Sequence, residues 1–125
     1  GQLHDVISKG FKINADNGAE DTVALGESVK FTDTSGNIIT TVTDNTIAFA
    51  LANSIKVGGN NPITINGDAG TISGLTNKTF DPNNIVSGQA ATEDQLKTVA
   101  DTANSALQDF TTSVNGQAVE TLNKD

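Results

Sequence analysis

Residues able to do chemistry are sparse in this chain, and they do not gather. His4 is the one histidine, and with no cysteine in 125 residues nothing completes a transition-metal set around it. It has no catalytic partner in sequence and reads as a solvated residue on a short helix. Asp16-Asn17-Gly18 through Asp21 has the flavour of a calcium loop. It lacks the bidentate Glu and the regular ligand spacing of an EF-hand, so turn chemistry is the better reading. Gly58-Gly59-Asn60-Asn61 is Gly-rich, but neither G-K-[ST] nor a helix follows, as a phosphate cradle requires. Asn77-Lys78-Thr79 matches a glycosylation sequon by pattern alone. Ser, Asp and Glu are plentiful but form neither a nucleophile elbow nor a paired-carboxylate motif. The expectation is a non-enzymatic chain with no catalytic, cofactor-binding or metal residues.

What organises the chain is the stretch from Ser87 to Leu122. Thr92 and Gln95 make a capping box, T-x-x-Q, and Glu93 and Asp94 follow in the first turn, where the positive end of the helix dipole favours them. Leu96, Ala100, Ala103, Leu107, Phe110 and Val114 then recur at alternating spacings of four and three. That is a heptad seam with Leu96, Ala103 and Phe110 at d and Ala100, Leu107 and Val114 at a. Lys97, Thr98, Asp101, Thr102, Gln108, Asp109 and Thr111 occupy the other faces. So narrow a seam suits association with copies of itself better than packing as an ordinary amphipathic helix on a small domain. After Val114 the next apolar residues, Ala118 and Leu122, are spaced four and four, a stutter that unwinds a left-handed supercoil. Gly116 lies at the same point and weakens the helix by about 1 kcal/mol relative to Ala. Gln117 would face the axis in an unbroken heptad, where it could hold an ion; the stutter is expected to turn Ala118 inward instead.

Composition points the same way. The chain has five Phe and neither Trp nor Tyr, and it is rich in Thr, Asn, Asp and Gly. That is poor material for one compact core, yet β-branched residues recur in alternation. Such chains fold as repeats, fibres or oligomers, in which neighbours supply the missing burial. A net charge of −8, with scattered Lys and no Arg, excludes phosphate neutralisation and hence a nucleic-acid partner. No run reaches transmembrane length, the N-terminus is not a signal peptide, and no membrane contact is expected of this segment. Helical pattern at both ends suggests a piece cut from something longer.

Taken in order, Leu3, Val6 and Ile7 mark a short helical stripe ending at Gly10, a C-cap. From Phe11 the period changes to two. Phe11, Ile13 and Ala15 read as a half-buried strand, Asp16-Asn17-Gly18 as a turn, and Thr22 to Leu25 as a second strand. Val29 and Phe31 alternate with Lys30 and Thr32. Ser35-Gly36-Asn37 is a turn before Ile38, Thr40 and Val42, and Asp44-Asn45 one before Ile47, Phe49 and Leu51. Residues 11–51 are thus expected to form a β-meander. Ile55 and Val57, Ile63 and Ile65, and Ile72 and Leu75 continue the pattern, with Asn66-Gly67 predicting a type I′ hairpin turn.

These residues carry a family resemblance. Phe11 to Leu51, with its opening K-G-F-K-I-N and the segment V-A-L-G-E-S-V-K-F (Val23 to Phe31), resembles the Trp-ring head of trimeric autotransporter adhesins, with Phe11 where the naming Trp would stand. Gly67 to Thr76, GDAGTISGLT, looks like the GIN-and-neck region of that family, and Ser87 to Leu96, SGQAATEDQL, like the end of the neck and start of the stalk. The resemblance covers nearly the whole chain, and its neck-to-stalk part is the most specific. It implies a mixed, fibrous homotrimer, in which an interleaved all-β head is joined by a neck to a parallel three-stranded α-helical coiled coil. The implied division is 1–10, the end of an incoming helical stalk; 11–57, the Trp-ring-like head; 58–91, the GIN/neck-like connector; and 92–125, the coiled coil. Phe11, Leu96, Ala100, Ala103, Leu107, Phe110 and Val114 would form the trimer core. The number three comes from the resemblance, since the heptad alone does not separate dimer from trimer.

The implied role is adhesion at a bacterial cell surface, to host matrix, other cells or abiotic surfaces, on a fibre held in the outer membrane by a C-terminal domain outside this sequence. No cofactor is implied. A pure spacer within such a fibre, or a trimeric phage tail-fibre segment, are the alternatives.

Overall fold

The structure is a computed structural model that describes residues 1–123, leaving aside the side chains of residues 6–8 and 117–123. The expectations for Val6 and Ile7 in the N-terminal stripe, and for Gln117, Ala118 and Leu122 in the stutter, therefore lie outside the described side chains. The chain divides into two compact units, Gly1–Ile55 and Lys56–Asp125.

The first unit opens with α1 (Gln2–Lys9). The helix stops at Gly10, whose φ of 49° belongs to the left-handed region and whose absent Cβ leaves room for the Val23 carbonyl. Any side chain there would meet that carbonyl head-on, which explains the glycine at the helix-to-strand change. Strand β1 (Phe11–Ile13) pairs antiparallel with β2 (Asp21–Val23), Phe11 opposite Val23. Lys12 and Glu20 form an ion pair at 3.4 Å across the loop that joins them.

The second strand ends at Val23, not Leu25, because Leu25 and Gly26 make a turn. Glu27 N–H donates to the Ala24 carbonyl (3.0 Å), Gly26 has φ 91°, and the Glu27 carboxylate accepts from Ala24 N–H (2.7 Å). Glycine at the third position of such a type II turn is what its positive φ demands. From there to Asn37 the chain is irregular, so Val29 and Phe31 do not sit on a strand despite their alternation. Phe31 is held differently. Its carbonyl accepts from the Thr40 hydroxyl (2.9 Å), and its ring lies tilted against Phe49 at 6.2 Å between centroids.

Strands β3 (Ile38–Thr43) and β4 (Thr46–Leu51) form the longest hairpin, with Ile38 opposite Leu51 and Thr43 opposite Thr46. Its two-residue loop, Asp44-Asn45, has positive φ at both positions (50° and 59°), the type I′ geometry that matches strand twist. One face carries Ile38, Val42, Ile47, Phe49 and Leu51 with Thr40. The expected meander over 11–51 is thus two separate two-stranded sheets. The break falls at the turn and the irregular segment between β2 and β3, which leave Val29–Phe31 without a ladder partner.

The second sheet system has the order β5-β6-β7, from β5 (Ser54–Val57), β6 (Ile63–Asn66) and β7 (Thr71–Ser73). Asn66-Gly67 is not a two-residue type I′ turn. Asn66 pairs with Thr71 across a four-residue loop. The Asn66 carbonyl accepts from Gly70 N–H (2.8 Å), and its side-chain oxygen accepts from the N–H groups of Asp68 (3.1 Å) and Ala69 (3.0 Å). That Asx-type bonding competes with the tighter turn and wins.

An irregular segment over 74–92, a neck before the helix, then leads to α2 (Glu93–Asn123), 31 residues long, which runs through Gly116 without a break.

Among the described residues Val23 alone is a buried hydrophobic, at 7% exposure. The chain exposes 10793 Å² in total. Two separate globules, each of half its mass, would together expose only about 7,600 Å² by the usual scaling of surface with size.

Candidate functional site

The site with the most developed geometry is the start of α2 together with the neck segment clasped to it. The capping box forms as its spacing predicts. Gln95 N–H donates to the Thr92 hydroxyl oxygen and Thr92 N–H donates to Gln95 Oε1, both at 3.2 Å, while Leu96 N–H reaches the Thr92 carbonyl at 3.0 Å. Two otherwise unpaired N–H groups of the first turn are thereby satisfied.

The box is tied to the irregular neck upstream. The Thr92 hydroxyl donates to the Asn77 carbonyl (2.8 Å), and Gln95 Nε2 donates to the Thr79 carbonyl (2.7 Å). Asn77 Nδ2 donates to the Ala90 carbonyl (2.7 Å) and to Gln95 Oε1 (3.0 Å). Three side chains thus fix where the helix begins and which way the neck leaves it. Asn77 is the residue that sequence reasoning passed over as a sequon. A glycan would have to be built on the very nitrogen that closes the clasp.

Beside the clasp lies an open groove of ≈ 590 Å³ lined by Phe80, Ile85, Val86, Leu96 and Val99 along with polar neck residues. Val99 escaped the heptad reading because it sits beside the a/d seam, at g. Ile85 and Val86 carried no period to mark them.

The seam residues stand in the open on the single chain. Leu96 is 67% exposed, Leu107 62%, Phe110 65% and Val114 40%, and Ala100 and Ala103 are exposed as well. Phe11, in the first unit, is 57% exposed although its strand partner Val23 is buried. It is therefore not a core residue of the isolated chain. Thr98 and Thr102 hydroxyls fold back on the Asp94 and Thr98 carbonyls, and Lys97 pairs with Asp101 at 2.7 Å, so the polar positions of the helix are used along its own length.

Among the described residues no cluster of His, Asp or Glu has the geometry to hold a metal, and no helix is long and apolar enough to cross a membrane. One carboxylate stands out for a different reason. Asp33 closes the loop before β3, accepting from the Ser35 hydroxyl (2.9 and 2.8 Å), Ser35 N–H (3.2 Å) and Ile38 N–H (3.1 Å). The bonds from Ile38 N–H and Ser35 hold its pKa down at about 2, from 3.8. A lowered folded pKa means that the loop's stabilisation is fully present above the unfolded value and is lost as pH falls through about 2. A carboxyl NMR titration should place the Asp33 midpoint near 2. A midpoint at the ordinary aspartate value would show that the loop does not close this way in solution.

No family, curated protein or solved structure matches the chain.

Proposed function

We propose that this chain is a segment of a fibrous homotrimer whose business is adhesion, with α2 forming a parallel three-stranded coiled coil, the β-strands contributing a head, and no catalytic step of its own. The observation that carries this reading is the burial. One buried hydrophobic among the described residues cannot offset the conformational entropy of ordering a chain this long, while exposed Leu96, Leu107 and Phe110 recur at seam spacing on one helix. Each such side chain contributes roughly 1.5–3 kcal/mol when removed from water, so association supplies what the single chain lacks. Three as the number of strands rests on the sequence resemblance, as do the cell-surface location and the ligand class of matrix, cell or abiotic surface. Three identical chains repeat each weak contact, and repetition raises avidity without a deep pocket.

Sedimentation equilibrium on the chain is expected to give the mass of three copies. A single-chain mass at every concentration would overturn the assembly and the adhesion reading built on it. If the trimer forms but binds neither cells, matrix proteins nor abiotic surfaces, the segment is a spacer.

A further inference from the structure

The sequence contains three Asn-Gly dipeptides, Asn17-Gly18, Asn66-Gly67 and Asn115-Gly116. Asparagine before glycine is the pair most open to succinimide chemistry, because glycine has no Cβ to obstruct approach of its backbone nitrogen to the neighbouring carboxamide. The reaction needs a free carboxamide and a free glycine N–H, and the fold treats the three pairs differently.

Asn66 is restrained. Its side-chain oxygen is held by Asp68 N–H at 3.1 Å and Ala69 N–H at 3.0 Å, and its carbonyl by Gly70 N–H at 2.8 Å. Turning the carboxamide onto Gly67 N breaks the first two bonds. Asn115 lies inside α2, where the Gly116 N–H belongs to the helical ladder and the backbone cannot adopt the conformation that ring closure requires. Asn17 has neither restraint. It sits in the β1–β2 loop, exposed on the single chain, its side chain makes no hydrogen bond with any described residue, and Gly18, at φ 86°, is outside both strands.

We infer that Asn17 is a site of spontaneous covalent modification, converting through a succinimide to isoaspartate and aspartate ahead of the other two. The Gly18 nitrogen, losing its proton, attacks Asn17 Cγ and forms the new C–N bond. The Cγ–Nδ2 bond breaks and ammonia leaves. Water then opens the ring at either carbonyl, giving aspartate or the isoaspartyl linkage. The balance is one water consumed and one ammonia released, with no oxidant or reductant. The product adds a negative charge to a loop that already holds Asp16 and Glu20, and the isoaspartyl form adds one backbone carbon between β1 and β2.

The test is to incubate the folded full chain in mildly alkaline buffer and follow all three peptides by mass spectrometry, using electron-transfer fragmentation to separate isoaspartate from aspartate. The same chain in denaturant serves as the reference in which all three react. In the folded chain, conversion at Asn17 is expected to exceed that at Asn66 and Asn115 by at least about tenfold, which corresponds to about 1.4 kcal/mol of barrier. Asn17→Gln, whose ring closure is slower, should remove the dominant product. Equal or faster conversion at Asn66 or Asn115 overturns the inference. So does an Asn17 that reacts in denaturant but is silent in the folded chain.

Discussion

Phe11→Ala is expected to destabilise the assembled protein by roughly 3–5 kcal/mol per site, the cost of emptying a filled aromatic position. In a dissociated chain the same change should cost only about 1 kcal/mol, because less than half of the side chain is then out of water. The contrast follows from where Phe11 sits. It is the first residue of β1, directly after Gly10, and its partner across the ladder is Val23, the one buried hydrophobic of the described chain. Phe11 itself stays 57% exposed. A large aromatic fixed on a strand next to the best-buried position is a surface awaiting cover, and a second and third copy can provide it. Phe11→Trp should be tolerated where the indole N–H reaches water or a carbonyl. Thermal unfolding over a range of protein concentrations distinguishes the cases, since the midpoint of an associating protein rises with concentration. A small loss that is the same at every concentration would show that Phe11 is merely a solvent-facing strand residue.

What could be read from the sequence was the short-range part. The capping box is a three-residue spacing, and Thr92 and Gln95 bond each other as that spacing requires. Asp44-Asn45 between alternating strands gives its hairpin for the same reason. Gly10 is legible as a helix stop, although its deeper reason, the Val23 carbonyl where a Cβ would go, is a contact across thirteen residues. The misreadings share a cause. Val29 and Phe31 alternate as a strand would, but alternation cannot say whether a partner strand is there, and the Ala24–Glu27 turn directs the chain elsewhere. Asn66-Gly67 has the composition of a tight turn, yet the Asn66 side chain finds two backbone donors further along the loop. Asp33 carried no period or motif to single it out. The groove beside α2 draws on Phe80, Ile85 and Val86 from an irregular neck, where no periodicity exists to be found.

Asn77→Ala is expected to cost about 1–3 kcal/mol per chain, the loss of two hydrogen bonds at about 0.5–1.5 kcal/mol each. Its Nδ2 is the donor that joins the neck carbonyl of Ala90 to the helix-capping side chain of Gln95. Asn77→Asp should cost at least as much. It keeps the shape but sets a carboxylate against two oxygens, the Ala90 carbonyl and Gln95 Oε1. Thr92→Ala should cost about 0.5–2 kcal/mol as a lost N-cap, and it also removes the hydroxyl that reaches the Asn77 carbonyl. The decisive measurement is a double-mutant cycle by urea unfolding. Asn77 and Gln95 share a direct bond, so Asn77→Ala and Gln95→Ala should fall short of additivity by about 0.5 kcal/mol or more, as interacting pairs do. Lys97→Ala touches only Asp101 within the helix and should add independently to Asn77→Ala. Full additivity between positions 77 and 95, together with no loss in Asn77→Ala alone, would mean that the neck does not clasp the helix start. It would leave the capping box of Thr92 and Gln95 to hold the first turn without it.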